Sequence, residues 1–188
     1  MIKSTSDSYG FLAKAFHWII ALMIIGMIAV GFVMTAMEPA PTKFFIYGLH
    51  KATGIVILAL VFLRLMWRLY NPSPQLPLEL TSWHRRMGKL SPIVLYFLLF
   101  LMPISGYILS EAGGYPISVY GLFIVPNFVE KNSEISKIAS LIHEYGAFVF
   151  IGILVLHLSA ALYHHFVLKN NVLQRMLPSW FFGSSRRQ

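Results

Sequence analysis

There is no cysteine anywhere in the 188 residues of this chain. That absence excludes disulfides, thiolate-held metal centres, iron–sulfur clusters and covalent cofactor attachment through a C-x-x-C-H motif. Any metal must be held by imidazole, carboxylate or thioether. Carboxylates are scarce too: Asp and Glu number seven against fifteen Lys and Arg, and charged residues make up only 12% of the chain. No repeat or low-complexity tract is present. What fills the chain instead is apolar. Hydrophobic residues reach 57% and mean hydropathy is +0.67, far above the values of a soluble domain.

The apolar residues fall into four runs, 15–37, 46–65, 92–109 and 145–168. Each is close to the roughly 20 residues that a bilayer-spanning helix requires. With their flanks they predict helices over about 15–37, 46–69, 90–109 and 138–168, in one domain covering 1–188. The fold class expected is an all-α integral membrane four-helix bundle. The first run is too long for a signal-peptide core and no small-residue cleavage pattern follows it, so it reads as a retained helix. Placing the amino terminus in the cytoplasm puts eleven cations on the inner side: Lys3, Lys14, Arg64, Arg68, Arg85, Arg86, Lys89, Lys169, Arg175, Arg186 and Arg187. Only Lys43, Lys51, Lys131 and Lys137 fall outside. By the positive-inside rule both termini are expected in the cytoplasm. The charge of +8 is then mainly a topology signal, and nucleic acid is not an expected partner.

The connections carry their own signals. Glu38, Pro39 and Pro41 stop the first helix. The strip Asn71-Pro72-Ser73-Pro74-Gln75-Leu76-Pro77 reads as extended chain, and Trp83-His84-Arg85-Arg86 as an amphipathic approach at headgroup level. Pro103 is expected to kink the third helix. The outer connection runs to about Lys137, and its residues 119–126 are expected to lie at the membrane interface.

Histidine is the informative residue. His143 and His157 stand fourteen positions apart in one helix, so both rings leave the same face about 21 Å apart along the axis. His17 is near the inner start of the first helix and His50 near the outer start of the second. Alternating chain direction then gives two cross-helix pairs, His50 with His143 outside and His17 with His157 inside. Two stacked haems require four imidazoles at two depths. The rival readings are a proton relay or polar packing between helices, and headgroup contacts for His17 and His50. His157, deep in an apolar helix, is by default functional. Gly26, Gly31, Gly54, Gly146 and Gly152 would let a porphyrin approach the backbone, although small residues also help membrane helices pack.

Two further residues share these faces. Arg64 follows His50 by fourteen positions and is either a bidentate anchor for a haem propionate or an ordinary positive-inside cation. His164 follows His157 by seven and is either a hydrogen-bond donor to a quinone or simple interfacial polarity. His84 is expected to be solvated.

These residues occur in ordered motifs: Ala15-Phe16-His17-Trp18; Leu49-His50-Lys51-Ala52-Thr53-Gly54; Arg64-Leu65-Met66-Trp67-Arg68; Pro103-Ile104-Ser105-Gly106-Tyr107; Pro116-Ile117-Ser118-Val119-Tyr120-Gly121; and His143 through His157 to His164-His165-Phe166. Their order and spacing resemble the bacterial cytochrome b561 family, four-helix inner-membrane di-haem cytochromes, over almost the whole chain. The resemblance implies two b haems, with iron ligands at His17, His50, His143 and His157. It also implies electron exchange with membrane ubiquinone, and in one branch of the family superoxide is oxidised on the outer side. One departure is Pro92, which stands where many relatives carry a histidine.

Two imidazoles per iron leave no open coordination position, so outer-sphere electron transfer is the expected chemistry. The leading expectation is a quinone-linked oxidoreductase taking electrons from an outer donor, with superoxide the candidate that the resemblance implies. Lys43 and Lys51, near His50, either attract an anion or, as the better reading, are plain loop lysines. A relay subunit that docks on a separate dehydrogenase is the second expectation. The third is a haem-free transporter or assembly factor.

Overall fold

The computed structural model describes residues 1–71, 73–75 and 80–177. Four helices dominate it: α1 (Phe11–Ala36), α2 (Pro41–Tyr70), α3 (Ser82–Ala112) and α4 (Ser133–Phe166). All four are long and apolar enough to cross a membrane. The chain is a multi-pass, all-α membrane protein.

All four helices begin earlier than the apolar runs do, and α2, α3 and α4 each carry a helix-start signal there. Pro41 starts α2 at its first helical position, where its missing N–H costs nothing. Thr81 caps α3 by accepting from the His84 N–H, so the stretch Trp83–Arg86 is helix rather than a separate approach. Asn132 caps α4 through Oδ1, which accepts from the amides of Glu134 and Ile135 at 2.9 and 3.1 Å. Pro92 and Pro103 both remain inside one continuous α3. Of the proline-rich strip, Pro72, Leu76 and Pro77 lie outside the described residues, as do Arg186 and Arg187.

The connection between α3 and α4 is not a flat interfacial stretch. It holds a small antiparallel hairpin, β1 (Ser118–Val119) and β2 (Phe123–Ile124), in which Val119 pairs with Phe123. Tyr120 and Gly121 take φ of 51° and 77°, and the Leu122 N–H closes the turn onto Val119 O at 3.0 Å. Positive φ at both central residues is what a hairpin turn of this hand demands, and glycine meets it without strain. Apolar residues alone could not reveal this, because the signal is the Tyr-Gly pair and not the hydrophobic pattern.

Three connections meet at one end of the bundle, here the terminus end. Ser4 N donates to Asn71 Oδ1 at 3.2 Å and Gln75 N to Ser6 O at 3.1 Å. Trp18 Nε1 and Lys14 Nζ donate to the carbonyls of Met176 and Leu177 at 3.0 and 2.8 Å. The β hairpin marks the opposite, hairpin end.

Packing is uneven. α1 lies on α2, α2 on α3, and α3 along α4, but the backbone of α4 stays away from α1 and α2. Side chains bridge that distance, as His17 does to His157 and His50 to His143. The apolar core consists of Ile20, Ile24, Ile57, Val61, Leu98, Leu99 and Phe150. Phe150 brings α4 into this core, and Phe148 meets Phe32 edge-on at 6.3 Å.

Candidate haem sites

The inward faces of three helices read as columns with a seven-residue step. On α1 the column is His17, Ile24, Gly31; on α2 it is His50, Ile57, Arg64; on α4 it is His143, Phe150, His157, His164. Seven residues of helix rise about 10 Å. Since α2 runs opposite to α1, the columns meet as layers: histidines at the hairpin end, an apolar layer of Ile24, Ile57 and Phe150, and histidines again toward the terminus end.

The rings meet as the depths predict. His50 and His143 lie 6.4 Å apart between ring centres at 78°, and His17 and His157 lie 6.4 Å apart at 62°. Two imidazoles on opposite sides of one iron stand with ring centres about 6 Å apart, given metal–nitrogen bonds of about 2 Å. Both pairs fit that spacing. Both also bridge the gap where backbones keep apart, the place a flat macrocycle needs. His50 and His143 stand almost three turns inside their helices rather than at the helix starts, because α2 and α4 begin earlier than the apolar runs.

The hairpin-end pair is prepared in detail. The Met102 carbonyl, which only accepts, lies 3.0 Å from His143 Nδ1, so Nδ1 carries the hydrogen and Nε2 keeps a lone pair. Ser105 Oγ stands 3.1 Å from the same nitrogen. A carbonyl on the far nitrogen is the usual partner that orients a metal-bound histidine. Gly106 makes room for this ring: a Cβ there would come within 3.1 Å of His143 Cε1. A Cβ on Gly31 would meet His50 Cε1 at an ordinary 3.8 Å, whereas one on Gly26 or Gly152 would meet nothing within 4 Å. His50 Nδ1 is buried without a hydrogen-bond partner. An orphaned buried nitrogen is costly and marks a place for a ligand.

At the terminus-end pair, Arg64 Nη2 lies 3.1 Å from His17 Nδ1. A guanidinium only donates, so His17 Nδ1 accepts here. Arg64 also stacks over Tyr96, 5.6 Å from its ring centre, and the buried Tyr96 hydroxyl has no partner. Arg64 therefore points into the layer of His17 rather than standing as a headgroup cation. Were His17 to hold a metal through Nε2, its Nδ1 would carry hydrogen and the Arg64 guanidinium would turn to another acceptor, such as a carboxylate.

His164 continues the α4 column, and its Nδ1 is 2.8 Å from Asn170 Nδ2. His84 is not a lone solvated residue: its ring centre is 5.3 Å from that of His164, and it stacks on Tyr163 at 21°. Sequence reading missed this pair because α3 starts at Ser82, eight residues before the helix expected from Leu90. The outer lysines are also less available than their positions imply. Lys43 Nζ donates to Met37 O at 2.5 Å, and Lys51 Nζ to Ser110 Oγ at 3.1 Å and to the carbonyls of Tyr115 and Pro116. Among the described residues no group of three or more His, Asp or Glu gathers as a metal cluster.

Paired imidazoles at two levels of a membrane four-helix bundle define a class of protein, the transmembrane b-type cytochromes. Residues 8–179 match the prokaryotic cytochrome b561 family. The chain is 34% identical over 181 residues to cytochrome b561 homolog 2 of Escherichia coli K12, covering 93% of each. It is 33% identical over 129 residues to cytochrome b561 homolog 1 of the same organism, covering 69% of this chain and 73% of that one. A protein of Yersinia pestis named probable superoxide oxidase CybB is 28% identical over 174 residues, covering 90% of this chain and 96% of the relative. This chain belongs to the prokaryotic cytochrome b561 family, whose members carry b-type haem and perform membrane electron transfer.

Proposed function

We propose that the chain binds two b haems, one between His50 and His143 and one between His17 and His157, and passes electrons across the bacterial inner membrane to ubiquinone. The observation that carries this reading is the equal 6.4 Å spacing of two cross-helix histidine pairs. A haem held by two imidazoles supplies a one-electron couple with no free coordination position. The chain's own residues then do the rest: Ile24, Ile57 and Phe150 keep water from the middle layer, and Arg64 supplies positive charge at the terminus-end level. With both termini cytoplasmic, that level faces inward. His164 stands one column step, about 10 Å, beyond His157. Its imidazole can donate a hydrogen bond to a quinone oxygen and deliver a proton.

The donor enters at the hairpin end. Superoxide is supported by the name of the Yersinia relative. A docked redox protein has its own support, because Lys43 and Lys51 spend their hydrogen bonds on carbonyls, and Leu122, Ile124 and Phe128 expose apolar surface beside the hairpin. Pyridine haemochrome analysis tests the core of the reading: two haems per chain are expected, with His143→Ala and His157→Ala removing different spectral components. One haem, or the same component lost in both variants, overturns it. His164→Ala is expected to keep both haems while quinone-dependent haem oxidation slows by roughly tenfold or more. Stopped-flow mixing with superoxide decides between the donors.

A further inference from the structure

Four of the seven histidines are absorbed by the two cross-helix pairs, and of the three that remain His84 and His164 face each other across the α3–α4 seam at the terminus end. We propose that these two imidazoles form a binding site for a divalent transition cation of the zinc class. The site shares His164 with the quinone reading but does not rest on it.

Ring spacing carries the argument. Imidazoles on opposite sides of a metal stand about 6 Å apart between centres, but two adjacent ligands of a tetrahedral ion, with bonds of about 2 Å, close to about 5 Å. His84 and His164 are 5.3 Å apart at 75°, whereas the haem-candidate pairs are both at 6.4 Å. The 5.3 Å spacing is compatible with two adjacent ligands of one tetrahedral ion.

Both rings are also held in the manner of ligands. Thr81 Oγ1 lies 2.7 Å from His84 Nδ1, and Asn170 Nδ2 lies 2.8 Å from His164 Nδ1, which leaves each Nε2 for a metal. Metal on His164 Nε2 places hydrogen on Nδ1. The Asn170 amide accepts it after a half-turn that exchanges Oδ1 for Nδ2, at the expense of the long 3.3 Å contact from Val172 N. Tyr163 fixes the plane of His84 from one side. Both histidines are half-buried, so water can fill the remaining coordination positions.

The test uses the full-length haem-loaded protein in detergent, without a histidine tag, and zinc chloride as the probe. Equilibrium dialysis is expected to find one saturable zinc per chain. Absorption at the zinc edge is expected to show two imidazole nitrogens completed by oxygen. His84→Ala and His164→Ala should each abolish that zinc with haem content unchanged. Thr81→Val keeps both imidazoles and is expected to weaken binding on the order of tenfold, the usual effect of losing a ligand's supporting partner. Absence of saturable zinc in the wild type, or its retention in the His84→Ala/His164→Ala double variant, overturns the proposal. Neither outcome touches the quinone reading, which His164→Ala kinetics decide in zinc-free buffer.

Discussion

Single residues in this bundle act through the ring they face. Gly106 is the sharpest case, since its missing side chain is the space that His143 fills. Gly106→Val adds three carbons against a contact already at 3.1 Å, and α3 cannot retreat from α4 without breaking their seam. The expected outcome is loss of the hairpin-end haem with retention of the other, read as a halved haemochrome yield. Arg64 acts by charge instead. A cation beside His17 favours the reduced, less positive haem, so Arg64→Leu should lower the midpoint potential of the terminus-end haem. Arg64→Lys should fall between, because lysine keeps the charge but loses the planar fork. Redox titration with an unchanged terminus-end midpoint in Arg64→Leu would remove the residue from the site. Glu111 belongs to the same scale: it is 2% exposed, one carboxylate oxygen has no partner, and Lys51 is the cation within its electrostatic reach.

At the scale of elements, α4 carries two of the four paired histidines and packs mainly along α3. Phe150 is its buried side chain in the core, seated between the two histidine levels with Ile153 and Leu154 packed alongside. Phe150→Ala is expected to cost about 3 kcal/mol, the ordinary loss for a buried phenylalanine. Both haems should remain, because their ligands lie seven residues away on either side. Thermal denaturation followed at the haem absorption band checks the two parts together. The legibility of the sequence divides along the same line. Hydropathy gave the four spans, and a spacing of fourteen placed the paired histidines, because a transmembrane helix is a straight ruler. What hydropathy could not show was polar: the caps at Thr81 and Asn132, the Tyr120-Gly121 turn, and His84 brought to His164 by the added helical turns. Arg64 was legible as sharing the face of His50, but its contact with His17 needed the antiparallel partner helix.

For the whole molecule, the histidine pairs cross a gap that the backbones leave open. Haem is therefore expected to act as a structural strut as well as a carrier of electrons. Protein prepared without haem should keep the α1–α2 and α2–α3 seams, since these rest on apolar contact. The α4 face bearing His143 and His157 should loosen. Hydrogen exchange by mass spectrometry, compared between haem-free and haem-loaded protein, is expected to rise over residues 143–157 well beyond any rise over residues 52–61. A uniform change along the chain would show that haem adds nothing local to the fold.

The seam between α1 and α4, crossed by side chains such as Phe32 and Phe148, bears on the order of manufacture. A flat prosthetic group can slide in edgewise from the lipid side, and no helix has to leave the membrane to admit it. Threading of the polypeptide and its furnishing are thus separable events, the second able to wait for the first. Until haem arrives, the last helix would be held mainly through its backbone resting on α3.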